Sequence, residues 1–173
     1  MQGYLTLATG TPFYLDLAMN LVLSLKLNDP TRPVCVVTDR AMPIPDGYRT
    51  FIDQIVYLEN KPGFHGCLNK LRMNEVSPFE ETMFVDSDCI LLKNDMDRHW
   101  AKLQSPGFCS PGGKATSGRW YGFDIAEVIK KLGIDYMRTL NSGVFYFRQG
   151  AETDHFFATA LDLVENHKEL LGS

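Results

Sequence analysis

In the N-terminal part of the chain the spacing of apolar residues changes repeatedly, and each change predicts an element. "GYLTLAT", residues 3–9, is short and rich in β-formers, and Gly10 ends it as a strand. Beyond it, Leu15, Met19, Val22 and Leu25 keep helical spacing down to Lys26. Thr11 reads as that helix's cap and Pro12 as its first turn, where the missing N–H costs nothing; Asn28-Asp29-Pro30 stops it. "PVCVVTD", residues 33–39, is an unbroken apolar run, the mark of a strand covered on both faces. "QIVYLE" predicts a third strand, "LNKLRMNEV" a helix, and "TMFVDSDCILL" a fourth strand or strand pair. Later, "FDIAEVIKKLG" predicts a helix ended by Gly133, "LNSGVFYF" another strand, and residues 151–171 a closing amphipathic helix. Strands and helices alternating in this order specify an α/β fold with a mainly parallel central sheet flanked by helices.

One stretch breaks the alternation. Residues 104–123, "QSPGFCSPGGKATSGRWYGF", hold five glycines and two prolines, with Trp120 and Tyr121 near the end. A loop that long in a compact domain predicts a lid or a binding loop. Its two aromatic rings either offer a flat face to a ligand or anchor the loop.

Composition narrows the class. The 173 residues, 45% hydrophobic and 22% charged, suit a single globular domain. A net charge of -4 with no Lys/Arg cluster sets nucleic-acid binding aside. Four cysteines, Cys35, Cys67, Cys89 and Cys109, lie far apart, as expected of small buried hydrophobes in a reducing compartment. No signal peptide or apolar stretch of membrane-spanning length is evident, so a cytoplasmic location without a transmembrane segment is expected.

In an open parallel sheet, ligands collect at the carboxyl ends of the strands. The first strand delivers Thr9 and Gly10 there, the second Thr38 and Asp39, the fourth Asp86 and Asp88. Asp39 either accepts a hydrogen bond from a ligand or caps the segment that follows. Positions i and i+2 of a strand share a face, so Asp86 and Asp88 repel unless a cation lies between them. Mg2+ or Mn2+ suits such a pair, because it takes oxygen ligands and bridges to phosphates. Ser87 is small enough to let the backbone pass close to a ligand. A solvated Asp-Ser-Asp turn accounts for the same three residues.

Three stretches carry a resemblance: "LTLATGTPFYLDLAMNLVLSLK", "NKLRMNEVSPFEETMFVDSDCILLKNDMD" and "LNSGVFYF". In content and order they resemble the glycogenin-like, or family 8, glycosyltransferases, which have the nucleotide-sugar-binding GT-A fold. The resemblance implies a metal-dependent, configuration-retaining hexosyl transfer from a UDP-sugar to a glycan, lipid or protein acceptor. It implies that Asp86 and Asp88 hold Mn2+ (or Mg2+), and that Lys70 lies near the donor sugar and phosphates. Thr9, Gly10 and Thr11 would line the nucleotide pocket, with Tyr14 stacked on the uracil. Asn141, Ser142 and Gly143 would meet the donor sugar. Family members run longer, and their later metal-ligating histidine has no match here; His155 and His167 read as surface or packing residues, and His65 has no place. The expectation is therefore one GT-A domain over residues 1–173, short or truncated at its C-terminus.

Two other functions fit part of the pattern. A non-catalytic sugar-nucleotide-binding module would need the donor site alone. A haloacid-dehalogenase-type phosphohydrolase also carries Asp-x-Asp after an apolar strand, but near the start of its domain, whereas Asp86 lies at mid-chain. A nucleotidyltransferase would want an arginine in the loop after the first strand, and "ATGTPFY" has none.

Overall fold

The computed structural model describes residues 1–103 and 106–166. In chain order the elements are β1 (Gln2–Ala8), α1 (Pro12–Asn28), β2 (Val34–Thr38), α2 (Asp46–Arg49) and β3 (Gln54–Tyr57). A 3-10 helix (Gly66–Arg72) then runs into α3 (Met73–Val76), followed by β4 (Glu81–Val85) and α4 (Met96–Lys102). Next come β5 (Phe108–Cys109), β6 (Gly112–Ala115), β7 (Arg119–Trp120), β8 (Phe123–Asp124) and α5 (Ile125–Leu132). The last three are β9 (Met137–Leu140), β10 (Val144–Arg148) and α6 (Ala151–Asn166). His167 and the rest of the expected closing helix lie outside the described residues, as do positions 104 and 105 of the expected lid.

The central sheet has the strand order β3-β2-β1-β4-β10-β5. The first four strands are parallel, whereas β10 runs antiparallel to both β4 and β5. The sheet is thus mainly parallel, as expected.

Period-two alternation splits its side chains into two cores. Tyr4, Val34, Val36, Met83, Val85 and Tyr146 face one way and pack with α1 and Trp100 of α4. Leu5, Cys35, Val37, Phe84, Phe145 and Phe147 face the other way, against Met73 of α3 and Phe157 of α6. Helices therefore cover both faces. On the first face the Tyr4 hydroxyl donates to Asp29 at 2.5 Å and accepts from the Trp100 indole at 3.2 Å. Arg32 pairs with the same Asp29 oxygen at 2.8 Å. Asp29, expected only as a helix stop, is also the acceptor that ties α1 to β1.

Three expectations need correction. "LNKLRMNEV" forms 3-10 turns before a short α-helix; over seven residues an apolar pattern does not separate a period of 3.0 from 3.6. The second strand of "TMFVDSDCILL" does not form. Side chains of α1 take the backbone groups of Leu91: its N–H donates to the Ser24 hydroxyl at 3.0 Å and its carbonyl accepts from Asn28 at 2.9 Å. The glycine-rich stretch is not a bare loop either. Its β6 pairs with β9, a strand the sequence pattern did not predict, and β7 pairs with β8 through a turn at Tyr121 and Gly122. Among the described residues no helix is long and apolar enough to cross a membrane.

Candidate functional site

The strand order reverses direction at β1 and β4: the chain steps outward from β1 to β2 and β3, then returns to the other side of β1. Such a switch point opens a crevice at the carboxyl ends of the two strands. Thr9 follows β1 there and Asp86 follows β4. A cleft of about 250 Å³ lies between them, lined by Thr9, Tyr14, Cys67, Lys70, Asp86 and Asp88, with Ser87 on its wall.

The strand stops at Val85, so the pleat does not align the two carboxylates. A turn does this instead, with the Cys89 N–H donating to the Asp86 carbonyl at 3.0 Å. Ser87 is buried inside the turn and Asp88 is exposed on it. The position one step beyond Val85 points to the same side as Phe84, where the 3-10 helix packs. Lys70 on that helix reaches both Asp86 oxygens, at 2.6 Å and 2.8 Å, and the Ser142 carbonyl at 3.3 Å. Burial nonetheless pushes the Asp86 carboxyl above the usual carboxylate range; Lys70 opposes the shift and the Asp88 charge adds to it.

Across Asp86 and Asp88 lies a second cavity of about 310 Å³, bordered by Asn141, Gly143, Val144 and Pro111. It is built by a turn before β10. The Gly143 carbonyl accepts from the Asp86 N–H at 2.8 Å, and the Gly143 N–H donates to the Asn141 side chain at 2.8 Å. A Cβ on Gly143 would sit 3.0 Å from Asn141 Oδ1 and 3.4 Å from Asp86 Oδ2. Close approach of this turn to the Asp86 turn thus leaves little room for a side chain here.

A third cavity, of about 170 Å³, meets the first at Thr9 and Gly66 and holds Gly10, Asp39, His65 and Asn69. Gly10 has φ +91°, open to glycine at little cost, and its N–H donates to Asp39 Oδ2 at 2.6 Å. Asp39 thus holds the loop after β1.

The larger cavity on the other face, about 520 Å³, is lined mainly by apolar side chains such as Leu21, Leu25, Met83 and Met96. Its two tyrosine hydroxyls are committed, Tyr4 to Asp29 and Tyr146 to Glu81. Polar groups that converge, and the burial-raised carboxyl of Asp86, favour the smaller clefts as the candidate site.

Most sequence-derived candidates therefore come together: Thr9, Tyr14, Lys70, Asp86, Ser87 and Asp88 on one cleft, Asn141 and Gly143 on the next, and Gly10 and Asp39 beside them. Ser142 contributes only its carbonyl. Thr11 lines none of these cavities and makes no side-chain cap bond, although it occupies the cap position of α1. Trp120 and Tyr121 also stand apart, with rings packed against each other at 4.8 Å. His155 is exposed on α6.

The cysteine expectation fails at Cys67, which is exposed in the cleft, and only Cys35 is fully buried. Cys67 precedes Lys70 by three helical positions, a spacing that places the two on one face. Among the described residues no group of three or more His, Cys, Asp or Glu side chains gathers as a metal cage. Two carboxylates on an open cleft still fit a hard divalent ion, which fills its remaining positions with water and phosphate oxygens.

No protein-family model and no curated protein matches the chain. Solved structures do. A galactosyltransferase, LgtC, in complex with donor and acceptor sugar analogues superposes with a TM-score of 0.66 at 15% identity, over 98% of this chain and 66% of that one. The glycosyltransferase GlyE of Streptococcus pneumoniae gives 0.61 at 15% identity, over 98% of this chain and 40% of that one. A 4-diphosphocytidyl-2C-methyl-D-erythritol synthase of Anaerococcus prevotii gives 0.54 at 9% identity, over 100% and 77%. The chain thus spans less than two thirds of GlyE and just under two thirds of LgtC. The third match shows that the fold is not confined to glycosyltransferases. The molecule carries the GT-A glycosyltransferase fold.

Proposed function

We propose that this chain is a metal-dependent glycosyltransferase that moves a hexosyl group from a UDP-sugar to an acceptor, with retention of configuration. One observation carries the reading: Asp86, Asp88, Lys70, Thr9 and Tyr14 border a single cleft at the switch point of a GT-A sheet. In that cleft Tyr14, 46% exposed, has a free face on which a uracil ring stacks. The loop of Thr9 and Gly10, held by Asp39, shapes the nucleoside side. Asn141 and Gly143 border the adjoining cavity, where the donor sugar fits and the acceptor approaches.

Asp86 and Asp88 are the residues that would hold Mn2+ or Mg2+. When bound, the ion supplies positive charge to the diphosphate leaving group. Lys70 adds a second positive charge on the same side. Among the described residues, the carboxylates lining the two cavities that meet at Asp86 are Asp86 and Asp88 themselves. No other described carboxylate borders them as a nucleophile, which favours same-face attack assisted by the departing phosphate. Exclusion of water from the cleft would protect transfer from hydrolysis.

The test is calorimetry of UDP binding with and without Mn2+, on the parent and on Asp88→Asn. Tight binding only by the parent with Mn2+ is expected, and equal affinity in all four conditions refutes the metal site. A panel of UDP-sugars then separates function: Mn2+-dependent release of UDP marks a transferase, and binding without release marks a donor-binding module.

A further inference from the structure

We propose that Asn69 reads the nucleobase, its side-chain amide pairing with the imide edge of uracil. The inference rests on the donor reading above and adds a residue to it.

Asn69 lies on the 3-10 helix next to Lys70 and is 7% exposed. Its Oδ1 is sealed from solvent and has no hydrogen-bond partner. Leaving such a group unpaired costs about 1–3 kcal/mol, a cost that a hydrogen-bonding ligand in the neighbouring cavity would relieve. Asn69 borders the 170 Å³ cavity that joins the main cleft at Thr9 and Gly66.

Three charged side chains of that cavity already have partners. Lys61 pairs with Glu165 at 2.5 Å, and Glu59 with Arg40 at 3.0 Å. Asp39 spends one oxygen on Gly10. Asn60 and Asn69 are the two side-chain amides there, each with both an acceptor and a donor to offer, and of the two only Asn69 is buried. The terminal torsion of asparagine is broad, so a modest turn brings its oxygen to the cavity wall. An amide so placed complements the uracil edge: its oxygen accepts from N3–H while its NH2 donates to a flanking carbonyl. The distance along the helix is apt, because Lys70 turns toward Asp86 and the phosphates while its neighbour turns toward the base.

The experiment compares three probes in saturating Mn2+, by calorimetry: UDP, N3-methyl-UDP and inorganic pyrophosphate. The proteins are the parent and Asn69→Leu. The parent should bind N3-methyl-UDP at least tenfold more weakly than UDP. Asn69→Leu should bind UDP at least tenfold more weakly than the parent does, with pyrophosphate unchanged, and should no longer distinguish the two nucleotides. It should also melt at or above the parent temperature, because an unpaired buried polar atom has been removed; a structural role for Asn69 would lower the melt instead. Methylation that is harmless to the parent, or equally harmful to both proteins, overturns the assignment while leaving UDP binding, and the donor reading, intact. Failure of the parent to bind UDP at all overturns both.

Discussion

Replacing Lys70 with methionine keeps most of the side chain and removes one charge from the centre of the cleft. In the parent, the ammonium sits 2.6 Å and 2.8 Å from the two Asp86 oxygens, with the side chains 12% and 29% exposed. Pairs at the surface are worth about 0–1 kcal/mol, whereas breaking a fully buried pair costs about 3–5 kcal/mol. This one stands between, and a loss of about 1–2 kcal/mol is expected, most of it from leaving Asp86 beside Asp88 without counter-charge. In a domain of this size 1 kcal/mol moves Tm by about 2–4 °C, so the variant should melt about 2–8 °C lower in scanning calorimetry. Because the cost resides in Asp86, Lys70→Met combined with Asp86→Asn should recover most of it, a coupling of about 1 kcal/mol. Ligand binding splits in sign. The ammonium occupies both oxygens that a cation needs, so Mn2+ alone should bind Lys70→Met more tightly. UDP in saturating Mn2+ should bind it more weakly, since the diphosphate loses a positive neighbour. An unchanged melt with strictly additive variants would refute the pair's energetic role. Weaker Mn2+ binding by Lys70→Met would refute the idea that ammonium and metal share Asp86.

Other perturbations test the frame around the cleft. A Cβ on Gly3 would fall 2.6 Å from atoms of the buried Phe79 ring, so Gly3→Ala should cost about 1–3 kcal/mol, measured by denaturant unfolding; a neutral result would refute the tight packing there. Gly143→Ala crowds Asn141 and Asp86 and should weaken UDP-sugar binding roughly fivefold, about 1 kcal/mol, with UDP itself less affected; identical affinities would count against a sugar site at that turn. Burial, and then the Asp29 carboxylate, raise the Tyr4 hydroxyl above its ordinary value. A raised folded-state pKa stabilises the fold below the unfolded value of about 10 and loses that contribution as pH climbs past it. The parent should therefore lose stability above about pH 10, by up to about 1.4 kcal/mol per pH unit from this group, and Tyr4→Phe should show a shallower decline; equal slopes would remove Tyr4 from the account.

What neighbouring residues carry was readable from the residue order. β1, α1 and β2 announce themselves because apolar period and terminators such as Thr11-Pro12 are local properties. Gly133 at φ +64°, ending α5, is another such property. The Asp86/Asp88 couplet stood out for the same reason: two like charges inside an apolar run are anomalous on a scale of three residues. Other features arise only when distant segments meet. β10 runs antiparallel because its partners are β4 and β5, and a strand's own residues do not encode its direction. Of the two readings of "TMFVDSDCILL", the single strand holds, and Asn28, 63 positions earlier, takes the Leu91 carbonyl that a second strand would have paired. The grip of Lys70 on Asp86 and on Ser142, 72 positions away, and the unpaired amide of Asn69 follow from where the 3-10 helix docks against the sheet. Periodicity sets which faces are buried; which polar groups then share a cleft depends on the packing of those faces.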